Sequence, residues 1–178
     1  MFKNFCRGIT LGLILLALTL PAINLELQNR SNNAALASGP ELMANTVSAV
    51  VKLEADRRAE TLAAYLEAKN SPLAGSAETF VEVADAYGLD YRFLPAIAGI
   101  ESNFGQAQLA DSHNPFGWGG GLVYFESFDE AIRTVAFELY EHCVKLGADT
   151  PAEIGPSYCP PNYFRWITAV EGFMAEIR

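Results

Sequence analysis

The chain has 178 residues, of which 51% are hydrophobic and 19% are charged, and its formal net charge is −9. This length holds one globular domain rather than two, and the composition excludes a wholly disordered chain. Two features argue against a nucleic-acid-binding protein. The net charge is negative, and no cluster of Lys and Arg is larger than the pair Arg57-Arg58.

The first 37 residues have the pattern of a targeting segment. Lys3 and Arg7 are followed by a nearly unbroken apolar run of 16 residues from Gly8 to Ile23, shorter than the ~20 residues of a comfortable transmembrane helix. The small residues Ala35-Leu36-Ala37 predict a cleavage site after them. Their long distance from the apolar run leaves an uncleaved membrane anchor open. In both cases we expect export to the periplasm or the extracellular space.

The rest of the chain has helical periodicity and one irregular region. Residues 38–75 are predicted to form an N-terminal helix and a linker, with a charged stretch at 52–60 that leaves the helix partly exposed. Within residues 76–178 we predict helices from Ser76 to Gly88, Asp90 to Asn103, Ser127 to Gly147, Thr150 to a break at Gly155-Pro156, and after Pro160-Pro161 to the C-terminus. Residues 105–126 combine glycines with aromatics, which predicts a loop that can approach a ligand closely. The predicted class is mainly α.

Glu101 is the residue best placed for acid chemistry. Ala98, Ile97 and Leu94 precede it by three, four and seven positions, so its side chain lies on or beside an apolar helix face. Desolvation there and the negative end of the helix dipole both favour a protonated carboxyl near neutral pH. Such a group can protonate the oxygen that leaves when a glycosidic bond breaks. The spacing alone, however, favours a surface glutamate at a helix end.

Four segments resemble one enzyme superfamily. They are LPAIAGIESNFG at 94–105, NPFGW at 114–118, FESFDEAI at 125–132 and YCPPNY at 158–163. The first resembles the catalytic helix of the lysozyme-like superfamily, in which the glutamate before the serine is the acid. The other three are similar, in the same order, to segments of the cell-wall β-N-acetylglucosaminidases of that superfamily. The resemblance covers about residues 76–178.

The resemblance implies a lysozyme-like helical domain that cleaves β-1,4 bonds of peptidoglycan glycan strands. It implies Glu101 as the general acid and Tyr158 as a catalytic residue that faces it. The candidate substrate-binding residues are Ser102, Asn114, Phe116, Gly117, Trp118, Tyr124 and Tyr163. Aromatic faces stack on sugar rings, but the same side chains also suit a core, and Trp166 and Phe164 suit it better. His113 fits a loop position better than a contact to an acetamido group.

Members of that family usually have a larger β-lobe that carries a second acidic residue, and the chain departs from them in the corresponding interval. The interval is shortened here to about residues 119–125, and neither Asp111 nor Glu126 is convincingly placed as a base. Two reactions stay open: hydrolysis of the glucosaminidase type, which the loop motifs slightly favour, and lytic transglycosylation, which leaves 1,6-anhydro ends. Two hypotheses without catalysis also remain, namely a glycan-binding module and a membrane-anchored structural helix protein with a coiled-coil arm at 42–66.

Cys143 and Cys159 remain after removal of the targeting segment. An even pair in an oxidising compartment predicts one disulfide, with two unlinked buried thiols as the alternative. A zinc site that adds His113 and His142 fits no compact ligand spacing, and nothing in the sequence requires a metal or an organic cofactor. We expect a monomer whose net charge without residues 1–37 is −11, so binding to an anionic wall would depend on shape, stacking and hydrogen bonds.

Overall fold

A computed structural model of the chain describes the backbone of residues 15–160 and 162–178, and the side chains from residue 41 onwards within those ranges. The α-helices are α1 (Leu15–Ala68), α2 (Ala77–Tyr87), α3 (Phe93–Ser102), α4 (Phe128–His142), α5 (Pro151–Tyr158) and α6 (Tyr163–Glu176). Short 3₁₀ turns lie at Ala74–Ser76 and Val144–Leu146. The described residues contain no β-strand, and the predicted mainly α class is confirmed.

The chain divides after Val50 into two units. In the first unit the described backbone is one continuous helix from Leu15, and residues 41–50 are exposed. The helix therefore does not begin after Ser38-Gly39-Pro40 as predicted, because one proline removes a backbone donor and bends a helix without having to end it. No helix in the described ranges has both the length and the apolar character needed to cross a membrane. Residues 1–14 of the predicted targeting segment lie outside the described residues.

The second unit, Val51–Arg178, contains the core. The last turns of α1 belong to it, since Leu62 and Leu66 are fully buried. The compact unit thus begins earlier than the domain predicted from Ser76 onwards. The buried positions of Leu62 and Leu66 also argue against a coiled-coil arm at 42–66. In such an arm, both side chains would have to be free to contact a partner helix.

The central helix of this unit is α3, whose first seven residues are all buried. It packs against α6, while α2 packs against α4 and α5 packs against α6. Position 99 of α3 needs a glycine, because a Cβ there would come within 2.7 Å of the Phe104 ring and within 3.1 Å of the Phe173 ring of α6. Close approach of α6 fixes the position of the C-terminal end of α3, where Glu101 lies.

Several predicted helix ends are confirmed. Gly88 ends α2 in the left-handed conformation with φ +70°. Thr150 caps α5 in a complete capping box with Glu153. The Ser127 hydroxyl accepts from Glu130 N–H at 3.1 Å, but the Glu130 carboxylate reaches the Glu126 N–H instead of Ser127.

Three predicted helix boundaries are wrong. α3 begins at Phe93 rather than Asp90, whose carboxylate instead accepts from the Arg92 N–H at 2.9 Å. α4 ends at His142, and a 3₁₀ turn continues the chain to Gly147. α5 runs through Gly155-Pro156 to Tyr158. There the glycine lets α5 approach Ile167, whose Cγ1 lies 2.8 Å from the place of a Cβ, and the exposed proline costs a backbone bond without ending the helix.

Candidate active site

Glu101 is the penultimate residue of α3, and its side chain opens into a concavity of about 440 Å³. We call this concavity the Glu101 cavity. It is lined by Glu101, Phe116, Gly117, Trp118, Gly119, Glu138, Leu139, His142, Cys143, Ser157, Tyr158 and Cys159. Three aromatic side chains and two carboxyls, those of Glu101 and Glu138, therefore line one cavity.

The environment of the Glu101 carboxyl favours its protonated form. The residue as a whole is exposed at the cavity mouth, yet burial of its carboxyl raises the pKa above the usual glutamate value. The Trp166 indole Nε1–H donates to Oε1 at 3.3 Å, which opposes the effect of burial but does not cancel it. Because Oε1 accepts this bond, the acidic proton of a neutral carboxyl belongs on Oε2.

Oε2 points towards the glycine-aromatic loop. A Cβ added at Gly117 would lie 3.9 Å from Glu101 Oε2, so the absence of a side chain there keeps this oxygen accessible. Gly117 also has a φ of +63°, a conformation that residues with a Cβ rarely adopt. Oε2 of Glu101 therefore lies beside a loop position that carries no side chain.

Tyr158 lines the same cavity at the end of α5. Its ring stacks on that of Trp166, with centroids 4.9 Å apart. Burial raises the pKa of the phenol, and the negative charge of Glu101 raises it further. Tyr158 thus remains a neutral hydroxyl that can donate a hydrogen bond in the cavity, and its predicted position beside Glu101 agrees with the structure.

Trp166 has two roles in the structure. It is 4% exposed and packs edge-on against Phe93, as a core residue does. At the same time its indole N–H is the hydrogen-bond donor to Glu101. The prediction that Trp166 belongs to the core was therefore correct but incomplete, because a hydrophobic face says nothing about where the polar tip of a buried indole points.

Phe116, Gly117 and Trp118 line the cavity, but Asn114 does not. The buried Asn114 amide donates to the carbonyls of Trp118 at 2.9 Å and Val123 at 3.0 Å, and its oxygen accepts from the Trp118 N–H at 2.8 Å. These bonds use the side chain inside the loop. Asn114 therefore shapes the loop that presents Phe116 and Trp118, and the substrate contact predicted for it stays a prediction.

Ser102 also acts inside the fold. Its buried hydroxyl contacts the Pro115 carbonyl at 2.6 Å and accepts from the Gly105 N–H at 2.8 Å. It thereby fastens the loop to the end of α3, next to Glu101. The hydroxyl of Ser102 is thus used within the fold, and the substrate contact predicted for it stays a prediction.

Tyr124, Tyr163 and His113 do not line the Glu101 cavity. Tyr124 is 59% exposed, and the Tyr163 ring packs against Phe164 with centroids 4.4 Å apart. His113 Nδ1 lies 3.0 Å from the Phe125 carbonyl, consistent with the loop position preferred from the sequence. The substrate contacts predicted for the two tyrosines are thus not supported, because similarity of motif order does not fix the direction of a side chain.

Seven cavity residues were not predicted as site residues. They are Gly119, Glu138, Leu139, His142, Cys143, Ser157 and Cys159. The only available signal was that Glu138 and His142 stand four residues apart on the face next to Leu139, which is buried. Glu126 and Asp111, the two acids of the loop region, do not line the cavity.

Two thiols lie at the wall of the Glu101 cavity. Cys143 and Cys159 are both unlinked, so the predicted disulfide is absent from the structure. Cys143 directly follows α4 and Cys159 directly follows α5. Both thiols line the Glu101 cavity, and no disulfide joins them. Among the described residues, no group of three or more His, Cys, Asp or Glu side chains could hold a metal ion.

A second and larger concavity lies between α1 and α2. This α1–α2 groove has a volume of about 860 Å³ and a floor of alanines with carboxylates around it, namely Asp56, Glu60, Glu78, Glu82 and Asp85. Arg58 binds Asp85 through two bonds of 2.7 Å, and Arg133 binds Glu82 at 2.7 Å. The residues that line the groove include no aromatic side chain, and the bond from Arg58 holds the pKa of Asp85 below its usual range.

Comparison with known proteins identifies no relative: no family model matches the chain, and no curated protein is significantly similar to it.

Proposed function

We propose that the chain is a peptidoglycan-cleaving glycosidase in which Glu101 is the general acid. The observation that carries this proposal is the Glu101 carboxyl itself, whose pKa is raised by burial in a cavity lined by Phe116, Trp118 and Tyr158. Such a carboxyl keeps its proton to higher pH than a solvated glutamate and can donate it to the leaving oxygen of a β-1,4 glycosidic bond.

The aromatic side chains support a carbohydrate substrate. Trp118 is half-buried, so part of its indole faces the cavity, where it can stack on the apolar face of a sugar ring. Tyr158, whose phenol is neutral, lines the same cavity as Glu101 and can donate a hydrogen bond to a sugar bound there. The three motifs that resemble those of cell-wall glucosaminidases, together with the segment that resembles the lysozyme-like catalytic helix, support the amino-sugar chain of peptidoglycan as the substrate class.

Export to the periplasm or the extracellular space is part of this proposal, since its substrate lies outside the cytoplasm. We assign the reaction to hydrolysis of the β-N-acetylglucosaminidase type. Lytic transglycosylation is the competing reaction. It needs only one carboxyl, and Glu101 is the carboxyl whose pKa burial raises in the cavity. Mass spectrometry of the released fragments separates the two, since hydrolysis leaves reducing ends and transglycosylation leaves 1,6-anhydro ends.

The proposal is tested by digestion of purified peptidoglycan with the wild type, Glu101→Gln and Glu60→Gln. Glu101→Gln should lower cleavage by about 10²–10⁴-fold, the usual contribution of a general acid. Glu60, a carboxylate of the α1–α2 groove, is the matched control and should change nothing. Undiminished cleavage by Glu101→Gln would contradict the proposal, and wall binding without cleavage by the wild type would favour a non-catalytic binding module.

The same variant reports on the fold. A carboxyl whose folded-state pKa is raised stabilises the protein fully only below its unfolded pKa, and this contribution is lost as the pH rises through the folded pKa. Glutamine cannot ionise and still offers an oxygen to the Trp166 N–H. Glu101→Gln should therefore unfold at the same temperature as the wild type at neutral pH, or higher, which separates lost chemistry from lost structure.

A further inference from the structure

A second glutamate enters the Glu101 cavity from another helix. Glu101 is carried by α3, which packs against α6, whereas Glu138 is carried by α4, which packs against α2. Both residues line the same cavity. The two carboxyls therefore reach one concavity from separate walls, although the loop in which the sequence resemblance places a second acid contributes none.

The surroundings of the two carboxyls differ in kind. Burial raises the pKa of the Glu101 carboxyl, which accepts from the Trp166 indole N–H. The Glu138 side chain is 35% exposed, and its Oε2 lies 3.2 Å from His142 Nε2. This contact joins two side chains that are four residues apart on α4 and that both line the cavity. Two carboxyls that line one cavity, one of which also contacts an imidazole, can serve as the acid and the base of one reaction.

We propose that Glu138, oriented by His142, is the base that activates the attacking water in the cleavage reaction. This inference rests on the proposed function of Glu101. The water oxygen bonds to the anomeric carbon while Glu138 takes one of its protons, and the bond from that carbon to the bridging oxygen breaks as this oxygen takes the proton of Glu101. The products are a sugar with an inverted, α-configured reducing end and a free hydroxyl on the neighbouring sugar.

His142 acts through Glu138 in this scheme and is a positioning residue. It is 76% exposed in its side chain, so its replacement leaves the core intact. His142→Ala should lower kcat and leave KM nearly unchanged, because it disturbs the orientation of the base and not sugar binding. His142→Gln, which retains an N–H donor, should recover part of the loss. Equal losses in both variants, or a change in KM alone, would contradict this role.

The decisive experiment is azide rescue of Glu138→Ala on purified peptidoglycan. The variant should lose about 10²–10⁴-fold in hydrolysis, and azide should restore cleavage, because the small anion fits the vacated space and needs no base. The rescued product should be an α-configured glycosyl azide. Wild-type cleavage by Glu138→Ala, a loss without azide rescue, a β-configured azide, or wild-type fragments that are all 1,6-anhydro would each overturn the proposal.

A matched control lies on the same helix. Glu141 forms a comparable pair with Lys145, four residues further on, at 3.0 Å, and it does not line the cavity. Glu141→Ala should cleave as the wild type does, with or without azide. Glu101→Gln distinguishes the two proposals: if it cleaves normally the proposed function itself fails, whereas a normal Glu138→Ala beside an inactive Glu101→Gln overturns only the role of Glu138.

Discussion

The Glu101 cavity and the α1–α2 groove differ both in size and in the chemistry of their carboxyls. The α1–α2 groove is about twice as large as the Glu101 cavity, at 860 Å³ against 440 Å³. Its carboxylates lie at an exposed rim, and the pKa of Asp85 is lowered by Arg58. In the smaller cavity burial raises the pKa of Glu101. The comparison teaches that the environment of a carboxyl, not the volume beside it, marks a candidate acid.

The same comparison separates two uses of an ionisable side chain. Asp85 and Glu82 pair with arginines from other elements, which joins α2 to α1 and to α4. Glu101 has no cationic partner among the contacts that govern its pKa, only the neutral indole of Trp166. The arginine beside Asp85 lowers the pKa of that carboxyl and keeps it charged, whereas the Glu101 carboxyl faces a neutral donor and has a raised pKa.

Replacement of Trp166 should have the largest effect on this comparison. Trp166→Phe removes the N–H that stabilises the Glu101 anion, so the pKa of Glu101 should rise further and the alkaline limb of the activity profile should move to higher pH. The smaller ring should also lower the free energy of unfolding by about 2 kcal/mol, as expected for a core truncation. The checks are a pH–rate profile and a denaturant titration.

Trp118→Phe is the matched control for that experiment. Trp118 lines the cavity but does not contribute to the pKa of Glu101. It should weaken substrate binding while the alkaline limb stays where it is in the wild type. A limb that moves to lower pH in Trp166→Phe would show that the indole N–H does not hold the carboxyl as described.

Gly117→Ala should have an intermediate effect. The residue has φ +63°, so a Cβ costs about 1–2 kcal/mol of backbone strain. The new methyl would lie 3.9 Å from Glu101 Oε2 and narrow the approach to the proton. Thermal unfolding and peptidoglycan digestion should both show a loss. Gly120→Ala is the control, since φ there is +71° but no atom lies within 4 Å of its Cβ position; it should lose stability but retain cleavage, and equal loss of cleavage would contradict the steric argument.

Asp85→Asn should have the smallest effect, and it tests the groove. The Arg58–Asp85 pair is partly exposed, with side-chain exposures of 29% and 46%, so its loss should cost about 1 kcal/mol or less. Because Arg58 lowers the pKa of Asp85, its contribution is present above the unfolded pKa and is lost as the pH falls through the folded pKa. Wild type and variant should converge in stability at acidic pH, with equal cleavage; a loss of cleavage would assign the groove a part in catalysis.

The sequence was most informative where local chemistry decides the structure. The spacing of Leu94, Ile97 and Ala98 before Glu101 predicts a carboxyl at the end of an apolar helix, and the structure has it there. The capping box of Thr150 and the left-handed stop at Gly88 are equally local. Such features depend on residues within one or two turns, so a single chain contains all the information they need.

The rest of the site depends on tertiary arrangement. Glu138 reaches the cavity only because α4 is placed by its packing against α2, and Trp166 reaches Glu101 only because α6 packs against α3. Asn114 resembles a substrate ligand in its motif, yet its amide is used by carbonyls within the loop. Periodicity gives the face of a helix but not the partners that this face meets.

The central claim is tested most directly by a carboxyl-detected NMR titration of Glu101 in the full chain, assigned by its disappearance in Glu101→Gln. The account predicts a pKa above the ordinary glutamate value of 4.5 and, in the same titration, a pKa for Asp85 below the ordinary aspartate value of 3.8. A Glu101 carboxyl that titrates at or below 4.5 would contradict the account, because it would be an anion under the conditions in which an acid is needed.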